Sequence, residues 1–177
     1  MTRSIPDRSI RLLLSLATTM AAGLVGLTVH SILMLVKDAF AILPGFRPYE
    51  DFQRLLGGWT GDSLGSILPY LTGAMIWGFL YARLHEHLPG RLFWTKGLAF
   101  AVIAWAAMTT GFFLLAGHGL LGLRLGYGLW PAALMFPMLA AFSLALSFAH
   151  TRLRADDERR SRIEPAARKH GAAEHDS

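Results

Sequence analysis

Four long runs without a single Asp, Glu, Lys or Arg constrain this chain more than anything else in it: Leu12 to Val36, Ser63 to Ala82, Gly97 to Leu123 and Leu125 to Thr151. At about 1.5 Å per helical residue, each is long enough to cross a hydrocarbon layer of about 30 Å. Backbone groups in lipid must pair within the chain, so such runs predict helices; strands of a membrane barrel would show alternation over ~10 residues instead. The expected fold is all-α, a polytopic four-transmembrane-helix bundle over residues 1–151 with spans near 12–36, 63–84, 97–117 and 129–150. Only 16% of the 177 residues are charged, against about a quarter in a soluble domain, and the missing charge is missing from the spans.

The basic residues predict an orientation. Arg3, Arg8 and Arg11 precede the first run, Arg83, Arg91 and Lys96 lie between the second and third, and seven more follow Thr151. The remaining four of the 17, Lys37, Arg47, Arg54 and Arg124, fall in the other two connections. By the positive-inside rule both termini are cytoplasmic. The net charge of +5 therefore reports topology, and no nucleic-acid partner is expected. Ala39-Phe40-Ala41 resembles a cleavage site, but the 25-residue first run exceeds the 7–15 residues of a signal-peptide core, so a retained helix is expected.

Between the first two runs, Pro48, then Glu50 and Asp51, then Arg54 and Gly57-Gly58 spell a short helix near 48–57. Proline suits its first turn, acids its positive end and glycine its exit. Its aromatic residues suit an interfacial position. Pro89-Gly90 breaks the second connection. The third holds five glycines in the twelve residues from Gly117 to Gly128 without the Lys-Ser or Lys-Thr of a phosphate loop, so an irregular edge is expected. Residues 152–177 mix seven basic and six acidic residues and predict a frayed helical extension leading into a disordered cytoplasmic tail.

Cysteine is absent, which excludes thiolate chemistry and thiolate zinc sites. None of the spans contains a carboxylate, the usual coupling group of proton- or cation-driven carriers. On the first span Thr19, Ala22, Gly26 and His30 fall on one helical stripe, and on the fourth Ala133, Pro137, Ala141 and Ala145 recur every four residues. Small residues let helices approach closely, so these two stripes predict interhelical packing. His30 lies well inside its span, where an imidazole is explained most simply by a hydrogen bond to the next helix. Haem between His30 and His118, or a metal held by His85, His87 and His150, are the cofactor arrangements the histidines would allow. HExxH spacing is absent and adjacent side chains on a helix diverge, so the expectation is no cofactor, no metal and no catalytic residue.

With Gly23, Gly26 and Met34 in the first span, Pro44 and Gly57-Gly58 after it, and Gly73 with Tyr81-Ala82 in the second, the chain resembles bacterial four-helix inner-membrane proteins of unknown function over roughly Ala22 to Ala149. The resemblance implies a multi-pass protein of the bacterial inner membrane and carries over no activity. The leading expectation is a non-enzymatic accessory subunit or scaffold that meets the lipid bilayer and a protein partner or second copy through its helices. The alternatives are a small oligomeric transporter or permeation subunit, with a polar path through Thr19, His30 and Thr109-Thr110, and a haem or quinone redox protein.

Overall fold

The computed structural model describes residues 6–43, 45–56 and 67–173. Among these the backbone is helical with no strand. Helix α1 (Pro6–Ala39) leads through a short turn into α2 (Pro48–Leu56), and α3 (Ile67–Leu84) follows. Helix α4 (Phe93–Ala107) continues through a π-helical turn (Met108–Phe112) into the last turn, α5 (Phe113–Leu115). A 3-10 segment (Leu120–Leu125) then leads to α6 (Trp130–Ala173).

Three helical stretches among the described residues are long and apolar enough to cross a membrane: Ala17–Ala39, Phe93–Leu115 and Trp130–Asp156. The sequence predicts four. The second uncharged run is represented by the 18 residues of α3, about 27 Å of helix. Its first residues, 63–66, lie outside the described residues, as does Gly57-Gly58. Past Thr151, where the sequence predicts a frayed helical extension before a disordered tail, helical backbone runs on to Ala173; Arg and Ala, the commonest residues of that segment, are strong helix formers.

The bundle is apolar outside as well as inside, with several polar side chains buried. Exposed positions include Ile32, Leu35, Phe79 and Val102, and Leu115 is 74% exposed. Buried positions include Thr19, Thr109, Ser143, Ser147 and His150. An apolar exterior of this extent is unfavourable in water and neutral in lipid, where polar side chains turn inward to find partners.

Helix α1 packs along both α3 and α6, and α4 packs along α6. Glycine sets the first of these distances. A Cβ on Gly23 would overlap the carbonyl oxygen of Ala74 and lie 2.9 Å from its carbon, and a Cβ on Gly78 would overlap the carbonyl oxygen of Thr19. The two glycines, one on each helix, let the backbones of α1 and α3 touch. Across α1 and α6 a Cβ on Gly26 would lie 2.8 Å from the ring of Phe142. Thr19, Ala22, Gly26 and His30 are all buried. On α6, however, Ala133 is exposed and Ala141 and Ala145 are half-buried. The α6 face that meets α1 carries Phe142, because α6 turns its larger residues, Met135, Leu139, Phe142 and Leu146, into the bundle.

Polar bridges complete the frame. The Tyr81 hydroxyl lies 2.6 Å from Ser147 Oγ, and Ser147 Oγ donates to the carbonyl oxygen of Phe93 at 2.7 Å. With its hydrogen committed there, Ser147 accepts from Tyr81, and one relay ties α3, α6 and α4. Trp105 Nε1 donates to the Ala132 carbonyl at 2.8 Å, a second tie between α4 and α6.

Candidate functional site

Where α1, α3, the π turn and α6 face one another, near the end of the bundle that carries α2, they leave a cleft of about 180 Å³. Its walls are His30, Trp77, Phe112, Leu139 and Phe142, with Pro48 of α2 at one end. Ile76, 51% exposed, stands at its rim. The rings give it shape: Trp77 meets Phe142 edge-on at 6.1 Å and Phe100 at 6.0 Å. His30 is edge-on to Phe142 at 6.3 Å and hydrogen-bonded to the backbone of Met138 on α6.

The π turn forms one wall through Met108 and Phe112. Such turns loosen the hydrogen-bond ladder and occur often at functional sites. Here the neighbouring threonines bond back to their own helix: Thr109 Oγ1 donates to Trp105 O at 2.7 Å and Thr110 Oγ1 to Ala106 O at 2.6 Å. Tyr70, another lining residue, shares a 2.9 Å hydrogen bond with Thr28 Oγ1, which donates to Leu24 O. The hydroxyls near the cleft are thus bonded within the protein, and the cleft is mainly an apolar, aromatic space.

Helix α2 is tied over this end through Asp51. Asp51, although only 4% exposed, lies 2.7 Å from Arg54 Nη2 and 2.6 Å from His118 Nε2. A carboxylate only accepts, so Nε2 carries the hydrogen. The His118 ring stands edge-on to Phe113, which in turn meets Phe46 at 5.6 Å. Lys37, buried at the end of α1, donates to Phe46 O at 3.0 Å and pairs with Asp38 at 2.6 Å. The five glycines from Gly117 to Gly128 all have positive φ, and the irregular backbone this permits brings His118 back onto α2.

Among the residues whose side chains are described, the histidines fall into three groups, with His87 apart. His30 contacts Met138 and Phe142, whereas His118 contacts Asp51 and Phe113, so the haem pair is divided between two clusters. At the opposite end His85 and His150 lie 5.0 Å apart, while His87 is exposed. Among the described residues no group of three or more His, Cys, Asp or Glu side chains is placed to hold a metal.

These features define an all-helical protein with membrane-length apolar helices and an apolar cleft among them. The chain belongs to the family of unknown function DUF6789, whose model matches residues 14–158. No curated protein and no solved structure matches it.

Proposed function

We propose that this protein is a four-span protein of the bacterial inner membrane with cytoplasmic termini, a non-enzymatic accessory protein that holds a small apolar molecule taken from the lipid phase. The observation that carries this reading is the cleft of about 180 Å³ lined by Trp77, Phe112, Leu139 and Phe142. Apolar cavities of about 150 Å³ stay dry and take up benzene-sized guests. A ring or a branched chain segment of a lipid-soluble molecule therefore fits, and a partner helix does not. Helix α3 supplies the fourth crossing, with 18 helical residues.

The small-transporter alternative needs a connected polar path. Thr109 and Thr110 bond back to their own helix, and Thr110 faces outward, which favours a holder over a conduit. A quinone ring is one guest the aromatic walls suit, and a redox role would follow only from its identity.

Extraction of the protein purified in a mild detergent, followed by mass spectrometry, tests the reading. One apolar species should accompany the wild type in near-stoichiometric amount and be depleted in Ile76→Trp, which blocks the exposed rim without disturbing the core. Equal amounts of the same species in both preparations would contradict the proposal, as would no bound species in either.

A further inference from the structure

At the end of the bundle opposite the cleft, the turn after α3 and the first turn of α4 close over α6. Lys96 Nζ donates to the carbonyl oxygen of His85 at 2.8 Å and lies 3.4 Å from its Nε2. The rings of His85 and His150 are 5.0 Å apart, and Tyr81 meets them edge-on at 5.6 and 5.3 Å. The Nδ1 atoms of His85 and His150 are both buried and make no hydrogen bond within the protein. His150 is only 7% exposed. A buried ring nitrogen without a partner is unfavourable. Tyr81 is no remedy, because its hydroxyl is committed to Ser147.

The charge around the two rings decides what could satisfy them. The positive charges of Lys96 and Arg154 act on both, and the carboxylate that acts on His85, from Glu86, belongs to an exposed side chain. A metal cation here would be repelled by both neighbours, and an anion is attracted. The start of α4 adds to the attraction, since Leu92 gives it no side-chain cap and its first turn contains no acid.

We propose that Lys96, His85 and His150, under the positive charge of Arg154, form a binding site for a phosphate group. Lysine supplies a point charge and each imidazole an N–H, a set matched to an oxyanion with several acceptor atoms. The site lies where α3 ends and α4 begins, the depth at which the phosphate of an anionic lipid headgroup would meet the bundle, and free phosphate offers the same chemistry.

The test uses the full chain in nanodiscs. Its unfolding temperature is followed in phosphatidylcholine alone, in phosphatidylcholine with titrated phosphatidylglycerol, and in phosphatidylcholine with inorganic phosphate against chloride at equal ionic strength. Stabilisation by the lipid identifies a headgroup, and stabilisation by phosphate identifies the free ion. Lys96→Gln keeps a donor for the His85 carbonyl but removes the charge, and should weaken the stabilising probe about tenfold, the ordinary worth of a charge-assisted hydrogen bond. His150→Phe should weaken it similarly, whereas Arg83→Gln, on an exposed basic position of α3, should leave it intact. No stabilisation by either probe, or equal weakening by Lys96→Gln and Arg83→Gln, would overturn the site.

Discussion

Replacing Gly23 by alanine adds one methyl group to a helix and should nevertheless destabilise the bundle. The methyl carbon would overlap the Ala74 carbonyl oxygen and stand 2.9 Å from the carbonyl carbon and 3.2 Å from Cα, all backbone atoms with no rotamer to yield. Carbon atoms prefer roughly 3.5–4.0 Å, so α1 and α3 must part by roughly 1 Å. Parting of that size forfeits a quarter to a half of each affected dispersion contact, and overpacking of this kind costs about 1–3 kcal/mol, occasionally more. Against it stands about 1 kcal/mol of helix propensity gained over glycine. The net expectation is a loss of about 1 kcal/mol. Gly111→Ala isolates the propensity effect, because nothing lies within 4 Å of a Cβ there; it should be neutral or stabilising by up to about 1 kcal/mol. Reversible unfolding in mixed micelles, followed by circular dichroism, measures both. A Gly23→Ala protein as stable as wild type would refute the idea that backbone contact holds α1 to α3.

His30→Gln keeps a group able to bond the Met138 backbone and should fold nearly as wild type, while His30→Leu should lose about 1–3 kcal/mol in the same unfolding assay; a Soret band in wild type that vanishes in His30→Gln would instead make His30 a haem ligand. Burial, and then the charges of Lys96 and Arg154, hold His85 below its usual 6.5 despite Glu86. The unfolded chain therefore binds the proton first, so the stability contributed by neutral His85 is full above about pH 7.5 and is lost as pH falls below 6.5. His85→Gln should flatten that acid limb, and an unchanged pH profile would count against the buried ring. Asp51→Asn leaves Arg54 and His118 without their shared carboxylate and should lower stability by about 1–3 kcal/mol, together with faster proteolysis at α2; unaltered stability would show that the latch contributes nothing.

Local rules carried the sequence reading furthest where structure depends on neighbours in the chain. Pro48, Glu50, Asp51 and Arg54 spell a helix near 48–57, and α2 spans Pro48–Leu56 with acids in its first turn and Arg54 in its last. The spacing of Thr19, Ala22, Gly26 and His30 selects one face of α1, and that face is buried. What the face meets depends on contacts distant in sequence. Gly26 and His30 on it meet Phe142 of α6, Thr19 meets Gly78 of α3 and the neighbouring Gly23 meets Ala74, while the alanine row of α6 lies toward the flank. The Tyr81–Ser147–Phe93 relay joins residues up to 66 positions apart, beyond any local pattern. The π turn has no propensity signature, since Met108-Thr109-Thr110-Gly111-Phe112 reads equally well as ordinary helix. The cleft follows from that turn and from how four helices settle, so His30 could be singled out in the sequence while its surroundings could not.

In the proposed topology four helices cross the membrane and both termini lie in the cytoplasm. The chain contains no cysteine, so single cysteines report without background. Arg47→Cys, Arg91→Cys and Asp156→Cys place one at an exposed position before α3, between α3 and α4, and late in α6. Labelling with a membrane-impermeant maleimide, in intact and then permeabilised cells, should reach Arg47→Cys from outside and the other two only after permeabilisation. Labelling of Arg47→Cys and Arg91→Cys from the same side would mean that α3 does not cross, and would contradict the four-span account.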